Sequence, residues 1–131
     1  MFKFLKDKND AKLKDTSENV VPKESTKKIL EEIRILQSQI DEEVLDSSKI
    51  SCTYNKIGTL YLEIHMKEDA LAAFEKAFSF QKEGGESYKQ LLSLYTKLQI
   101  ESAVNSDFDK ERYYADKLND LRTEAKKIIT G

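Results

Sequence analysis

Few residues in this 131-residue chain have side chains suited to nucleophilic, acid–base or metal chemistry. His65 is its only histidine and Cys52 its only cysteine. If both lie on one helix, about three turns separate them, so they cannot form a nucleophile–base pair or share a zinc ion. We therefore expect no metal, no cofactor and no enzymatic activity. His65 is expected at a surface or turn position, and Cys52 is expected to be a small, partly buried apolar residue.

Other patterns that can bind phosphate or calcium are also missing. Gly84-Gly85 is not followed by Lys and Ser or Thr, so it is predicted to stop a helix rather than to cradle a phosphate. Acidic pairs such as Glu31-Glu32 have no polar partners in the sequence pattern, which is typical of solvated helix faces. No segment places alternating acids around a central glycine, as a calcium loop requires.

Composition indicates a single helical domain. The chain is 39% hydrophobic and 35% charged, with one proline and four glycines. A high charge fraction with few turn residues favours helices with solvated outer faces. The formal net charge of −2 gives no basic field for nucleic acid. A lone cysteine and the lack of a long apolar run predict a soluble, cytoplasmic protein.

Charge divides the chain into two parts. Residues 1–28 hold eight lysines against five acids, a balance of +3 that leaves −5 for the rest. We predict that residues 1–22 form a flexible basic tail and that residues 23–131 form the folded domain. Pro22 disfavours helix at the residue before it, which supports this boundary.

Apolar periodicity predicts five helices and no strand, an all-α architecture. The first helix should begin near Ser25 or Thr26, with Ile29, Ile33, Leu36, Ile40 and Val44 as its apolar face, and end at Asp46-Ser47-Ser48. The second and third should span 50–66 and 69–83, joined by Lys67-Glu68-Asp69 and stopped by Gly84-Gly85. The fourth should be capped by Ser87, with Tyr88, Leu91, Leu92, Tyr95 and Leu98 inward. The fifth should follow Asn105-Ser106-Asp107, capped by Asp107, with Phe108, Tyr114, Leu118, Leu121, Ala125 and Ile128 inward.

One segment carries a more specific pattern. Tyr54-x-x-Ile57-Gly58-x-x-Tyr61 places three large side chains and one glycine on a single helical face. Glycine inside a helix costs roughly 1 kcal/mol relative to alanine, so close packing at Gly58 should compensate. The next helix offers small residues for a close approach, with larger Phe74 and Phe78 between them: Ala70, Ala73 and Ala77. We expect the alanine side of that helix to enter the notch at Gly58.

This pattern resembles the tetratricopeptide repeat (TPR), a helix–turn–helix unit with large-x-x-Leu-Gly-x-x-Tyr followed by Ala-x-x-x-Phe. The resemblance is best over residues 51–83, where Ala70-x-x-x-Phe74 completes the unit. Tyr88-x-x-Leu91-Leu92-x-x-Tyr95 repeats the first half 34 residues later, the family period, with Leu92 in place of glycine. The resemblance implies one good repeat, a divergent second repeat and a flanking first helix, arranged as antiparallel hairpins.

The resemblance also implies a groove lined by the first helix of each repeat, which holds a peptide or a partner helix. Positions that face away from the core stripe should form its wall: Asn55, Thr59, Leu62, Lys89, Ser93 and Thr96. Asparagine amides can bond a peptide backbone, and Lys89 can meet a carboxylate. The predicted function is a non-enzymatic adaptor or scaffold that binds a protein or peptide.

Two alternatives stay open at this point. Met1-Phe2-Lys3-Phe4-Leu5-Lys6 mixes apolar residues with lysines, which would suit a peripheral contact with an anionic membrane surface. An exposed apolar edge of the array would instead favour self-assembly as a homodimer or larger structure. Phe80 and Tyr113 lie off the core stripes and are expected to be exposed, where they would mark a contact patch.

Overall fold

The computed structural model describes residues 23–82 and 85–130, and within those ranges the chain is helical with no β-strand. Five helices follow one another: α1 Lys23–Glu42, α2 Ser47–Glu63, α3 Lys67–Phe80, α4 Glu86–Val104 and α5 Phe108–Thr130. Short connections and the packing of consecutive helices confirm the predicted all-α array of helical hairpins. The predicted tail, residues 1–22, lies outside the described residues.

The first connection differs from the prediction because Asp46 starts a helix instead of ending one. α1 ends at Glu42, and the Asp46 carboxylate accepts a hydrogen bond from the Lys49 backbone N–H at 2.8 Å, as the N-cap of α2. Val44 therefore falls between helices and is fully exposed, so its predicted place on the apolar face of α1 is wrong. A capping side chain stabilises the first turn of α2 enough to fix its start at Ser47.

The turn between α2 and α3 comes earlier than predicted. α3 already begins at Lys67, so the predicted turn at Lys67-Glu68-Asp69 is wrong. The turn is Ile64-His65-Met66, closed by the Met66 N–H, which donates to the Tyr61 carbonyl at 2.9 Å. His65 has a φ of 62° and is exposed, which confirms its predicted turn position.

The boundary between α3 and α4 also differs from the prediction. α3 ends at Phe80, and Gln81 is extended, so α3 stops before the glycines predicted to end it; Gly84 lies outside the described residues. Gly85 has a φ of 91° and is the N-cap of α4. A left-handed backbone there suits glycine. Ser87, predicted as the cap, is instead buried in the first turn of α4.

Helices α2 and α3 pack closely at Gly58, as predicted, but a different side chain fills the notch. A Cβ added at Gly58 would lie 2.7 Å from Cζ of Phe74, whose ring is completely buried. The atoms nearest to the notch thus belong to the Phe74 ring, which the prediction had placed between the alanines rather than in the notch. Ala70, Ala73 and Ala77 are buried on α3 all the same.

Two apolar clusters hold the array together. The larger cluster joins α3, α4 and α5 through Phe74, Leu91, Leu94, Tyr95, Leu98, Tyr114, Leu118 and Leu121, among others. The smaller cluster joins α1 to α2 and α3 through Ile33, Ile57 and Ala73. Tyr54 and Tyr61 are half-buried against it.

Helix α5 starts as predicted, but its first apolar residue does not reach the core. Asp107 accepts from the Lys110 N–H at 3.2 Å and so confirms the predicted cap. Phe108 is 67% exposed, so its predicted core position is wrong. Six residues of helix place it about 120° around the axis from Tyr114, away from the buried stripe. Phe80 and Tyr113 are exposed, as predicted.

Candidate partner-binding cleft

A cleft of about 680 Å³ lies between α1, one side of α2 and the start of α4. We call it the α1–α2–α4 cleft. Its volume falls within the range of roughly 300–1,000 Å³ that is typical of ligand sites. Leu36 lines it from α1, Cys52 and Asn55 line it from α2, and Ser87 lines it from α4.

Helix α1 packs on the rest of the fold through one apolar stripe, beside which the cleft lies. Ile33 is the only fully buried residue of α1, and it packs against Ile57 and Ala73. On the side of α2 next to this contact, Ser51 is buried and its hydroxyl donates to the Ala77 carbonyl at 2.8 Å. That bond ties the start of α2 to the end of α3 and fixes the wall of the cleft.

Polar groups of the cleft differ in whether the fold already uses them. The Ser51 hydroxyl already donates to the Ala77 carbonyl, and the Thr59 hydroxyl already donates to the Asn55 carbonyl at 3.0 Å. The Asn55 side chain is different: its Oδ1 is buried and has no hydrogen-bond partner within the described chain. A buried acceptor left unpaired costs about 1–3 kcal/mol. Asn55 is therefore the lining residue whose side chain would gain most by turning toward a ligand donor in the cleft.

The charges that line the cleft are mixed, with an acidic excess. Glu32 of α1 and Glu86 of α4 face one lysine, Lys56 of α2. Glu86 also accepts from the Gln90 side chain at 3.1 Å along its own helix. Leu36 and Leu60 supply apolar surface to the same cleft. This lining suits a ligand with apolar side chains and positive charge.

The structure divides the six residues predicted to form a groove wall. Asn55 and Thr59 line the α1–α2–α4 cleft. Leu62 is half-buried and packs against the larger apolar cluster. The α4 residues Lys89, Ser93 and Thr96 are exposed and are not part of the cleft lining, which α4 enters only at its first turn.

Sequence reasoning missed the contributions of α1 and of Cys52. Cys52 was expected to be partly buried, but it is exposed and lines the cleft. It lies three residues before Asn55, which places both near one face of α2 and would have been a usable signal. Leu36 belongs to the apolar face of α1, but it is only half-buried and its remaining surface lines the cleft.

A buried polar pair elsewhere has a structural role. The Tyr95 hydroxyl donates to the Glu75 carboxylate, which links α4 to α3. Burial, reinforced by this bond and the negative charge of Glu75, raises the pKa of Tyr95 well above that of a free tyrosine. Tyr95 therefore stays protonated at physiological pH and keeps donating.

The described part of the chain offers neither a metal-binding cluster nor a membrane-spanning helix. In residues 23–82 and 85–130, no cluster of three or more His, Cys, Asp or Glu is placed to hold a metal ion. Among the described helices, none is long and apolar enough to span a membrane. Comparison with protein-family models, curated proteins and solved structures finds no match to this chain.

Proposed function

We propose that this protein is a non-enzymatic interaction module that holds a short segment of a partner protein in the α1–α2–α4 cleft. The observation that carries the proposal is the buried, unpaired Oδ1 of Asn55 beside a cleft of about 680 Å³. A peptide bound there can donate a backbone N–H to Asn55 and place apolar side chains on Leu36 and Leu60.

The arrangement of α2 and α3 supports a related proposal, that residues 51–83 are a TPR-like repeat. Phe74 packs closely on Gly58, and a glycine at this place of the motif permits close packing of this kind. In this proposal α1 takes the place of the second helix of an incomplete preceding repeat, and α4 with α5 form the divergent repeat. Ligands would then enter beside the first helix of each repeat.

A selection experiment tests the proposed function without knowledge of the natural partner. Random 12-residue peptides displayed on phage are selected on the full-length protein, and the winners are measured by isothermal titration. We expect micromolar binders that lose at least tenfold in affinity with Asn55→Ala, because the backbone bond is lost.

Asn119→Ala is the matched control, since Asn119 is an exposed asparagine within α5 and does not line the cleft. Affinity should be unchanged by it. Selection is repeated on a Phe2→Ser/Phe4→Ser/Leu5→Ser variant, which lacks the apolar side chains at the start of the chain. Failure to select any peptide on either protein, or selected peptides whose affinity does not change with Asn55→Ala, would contradict the proposal.

A further inference from the structure

We propose that, before a partner binds, the α1–α2–α4 cleft holds the chain's own segment Met1–Lys6, which a partner must displace. This inference rests on the proposed function, because it takes the cleft to be a site for short segments. It identifies the chemistry that the cleft prefers, which is a short run of aromatic and aliphatic side chains interrupted by lysines.

Chain length allows the segment to reach the cleft. The segment joins the described fold at Lys23, the first residue of α1, and Leu36 lies about 20 Å further along that helix. Leu5 lies eighteen positions before Lys23. A linker of that length can extend to about 60 Å, and when flexible it has a root-mean-square span of about 23 Å. This span matches the distance to be covered, the condition under which a tethered ligand has its highest effective concentration.

The segment and the cleft are complementary in charge. Lys3 and Lys6 are basic, whereas the cleft lining carries Glu32 and Glu86 against the single Lys56. The excess of one negative charge attracts a basic segment, and two lysines three residues apart can meet carboxylates on opposite walls of a cleft.

The two are also complementary in polarity. Phe2, Phe4 and Leu5 give the segment apolar side chains that need to leave water, and Leu36 and Leu60 give the cleft apolar surface that remains only half-buried. Each large side chain removed from water contributes about 1.5–3 kcal/mol at full burial. The backbone N–H groups of the segment supply the donor that Asn55 lacks.

Cys52 offers a direct test, because it lines the cleft and is the only cysteine of the chain. The rate of its reaction with N-ethylmaleimide is measured by mass spectrometry in the full-length protein and in a Phe2→Ser/Phe4→Ser/Leu5→Ser variant. We expect the variant to react at least fivefold faster, since its cleft is open. An equal rate in the two proteins would overturn the inference.

Two controls separate the opening of the cleft from other effects. Leu13→Ser changes the same part of the chain outside Met1–Lys6 and should leave the rate unchanged. A protein with its cysteine moved to an exposed site on α4, by Cys52→Ser and Ala103→Cys, should react equally fast with and without the triple substitution. A faster reaction at position 103 would mean general loosening and would overturn the inference.

The same assay distinguishes this inference from the proposed function. If phage-selected peptides protect Cys52 but the triple variant reacts like the original protein, the cleft binds partners and the self-occupancy is wrong. If the segment protects Cys52 but no selected peptide does, the proposed partner binding fails and the self-occupancy stands. Protection that disappears on hundredfold dilution would assign the segment to a second copy and contradict the intramolecular contact.

Charge swaps provide a second, independent measurement. Lys3→Glu/Lys6→Glu should speed the labelling of Cys52 at least twofold, because the segment then repels Glu32 and Glu86. Adding Glu32→Lys/Glu86→Lys to that variant should restore slow labelling. Failure of the restoration would show that the acidic residues of the cleft do not meet the lysines of the segment.

Discussion

Asn55 is the residue at which stability and binding should oppose each other. Its Oδ1 is buried without a partner, so the folded protein bears a cost that a ligand would remove. Asn55→Ala is expected to raise the free energy of unfolding by about 1–2 kcal/mol, since it removes the unpaired oxygen and improves helix propensity. Urea denaturation of both proteins measures the difference.

Asn119→Ala isolates the helix-propensity part of that gain, because Asn119 is exposed in the middle of α5. Asn119→Ala should raise the free energy of unfolding by only about 0.5 kcal/mol. Equal increases in the free energy of unfolding from the two substitutions would mean that the buried oxygen of Asn55 costs nothing. The main argument for partner binding at the cleft would then be lost.

Gly58 gives a prediction whose sign depends on Phe74. In Gly58→Ala the new Cβ would lie 2.7 Å from the Phe74 ring, which is completely buried, so the ring or the helix has to shift. Overpacking of this kind costs about 1–3 kcal/mol, against roughly 1 kcal/mol gained from replacing glycine in a helix. We expect a net loss of about 1 kcal/mol in thermal or urea unfolding.

The test of that explanation is a Phe74→Leu background, in which the shorter side chain leaves room for a methyl group. Gly58→Ala should stabilise the Phe74→Leu protein rather than destabilise it. The same loss in both backgrounds would show that Phe74 is not the cause.

The raised pKa of Tyr95 predicts how the stability of the fold responds to alkaline pH. Burial raises its pKa in the folded protein, whereas in the unfolded chain it titrates near 10. Its stabilising contribution is therefore complete below about pH 10 and is lost as the pH rises further. Tyr95→Phe should cost about 1–2 kcal/mol at pH 7 by removing the bond to Glu75.

The difference in unfolding free energy between the original protein and Tyr95→Phe should shrink as the pH rises above about 10, as followed by urea titrations. Tyr113→Phe, at a half-exposed ring of α5, is the control for removing a hydroxyl. A difference that stays constant with pH would contradict the proposed link.

Single residues show what the sequence could predict. Asn55 and Thr59 were predicted to lie on a binding wall because helical geometry alone turns them away from the Tyr54–Gly58 stripe, and both line the cleft. Lys89 was predicted by extending the same geometry by one repeat, and it lies outside the cleft lining, which α4 enters only at its first turn. The position of one helix relative to another depends on side-chain packing that a period does not encode.

At the scale of elements, helix α1 is the part of the fold held least firmly. Ile33 is its only fully buried residue, and its contacts run to the smaller cluster. Elements with few buried contacts open locally at lower free energy than the whole fold. Because α1 also forms one wall of the cleft, its docking should control access for a ligand.

Ile33→Ala is expected to undock α1 while the α4–α5 hairpin stays folded. Removal of a buried isoleucine side chain costs about 2–5 kcal/mol, and Ile33 is the residue of α1 that is fully buried. Hydrogen exchange should become at least tenfold faster across residues 23–42 and stay nearly unchanged across 86–128.

Ile35→Ala is the matched control, because Ile35 is 45% exposed on the same helix. Exchange in α1 should hardly change with it. Uniformly faster exchange through all five helices of the Ile33→Ala protein would show that α1 is an integral part of one cooperative unit.

Element boundaries were harder to predict than element identities. Asp46 is compatible with ending α1 or capping α2, and only the Lys49 N–H bond decides between them. Asp107 had no such ambiguity, since it follows Asn105-Ser106, and its cap was predicted correctly. Local hydrogen bonds of single side chains decide such boundaries, and apolar periodicity carries no information about them.

At the scale of the whole molecule, five helices form an array in which consecutive helices pack in sequence, from α1 on α2 to α4 on α5. Ion pairs between helices, such as Lys82 to Glu124 at 3.0 Å, add links at the surface. The array thus has a continuous core from α2 to α5 and an open cleft where α1 departs from it. We propose this cleft as the place where a partner binds.

The most direct test is to map a phage-selected peptide on the full-length protein by backbone amide chemical shifts. We expect the largest changes at cleft positions on all three helices: Leu36, Cys52, Asn55, Thr59 and Ser87. Changes confined to Lys89, Ser93 and Thr96, with the cleft unaffected, would contradict binding in the cleft. They would instead place the binding surface on the exposed face of α4.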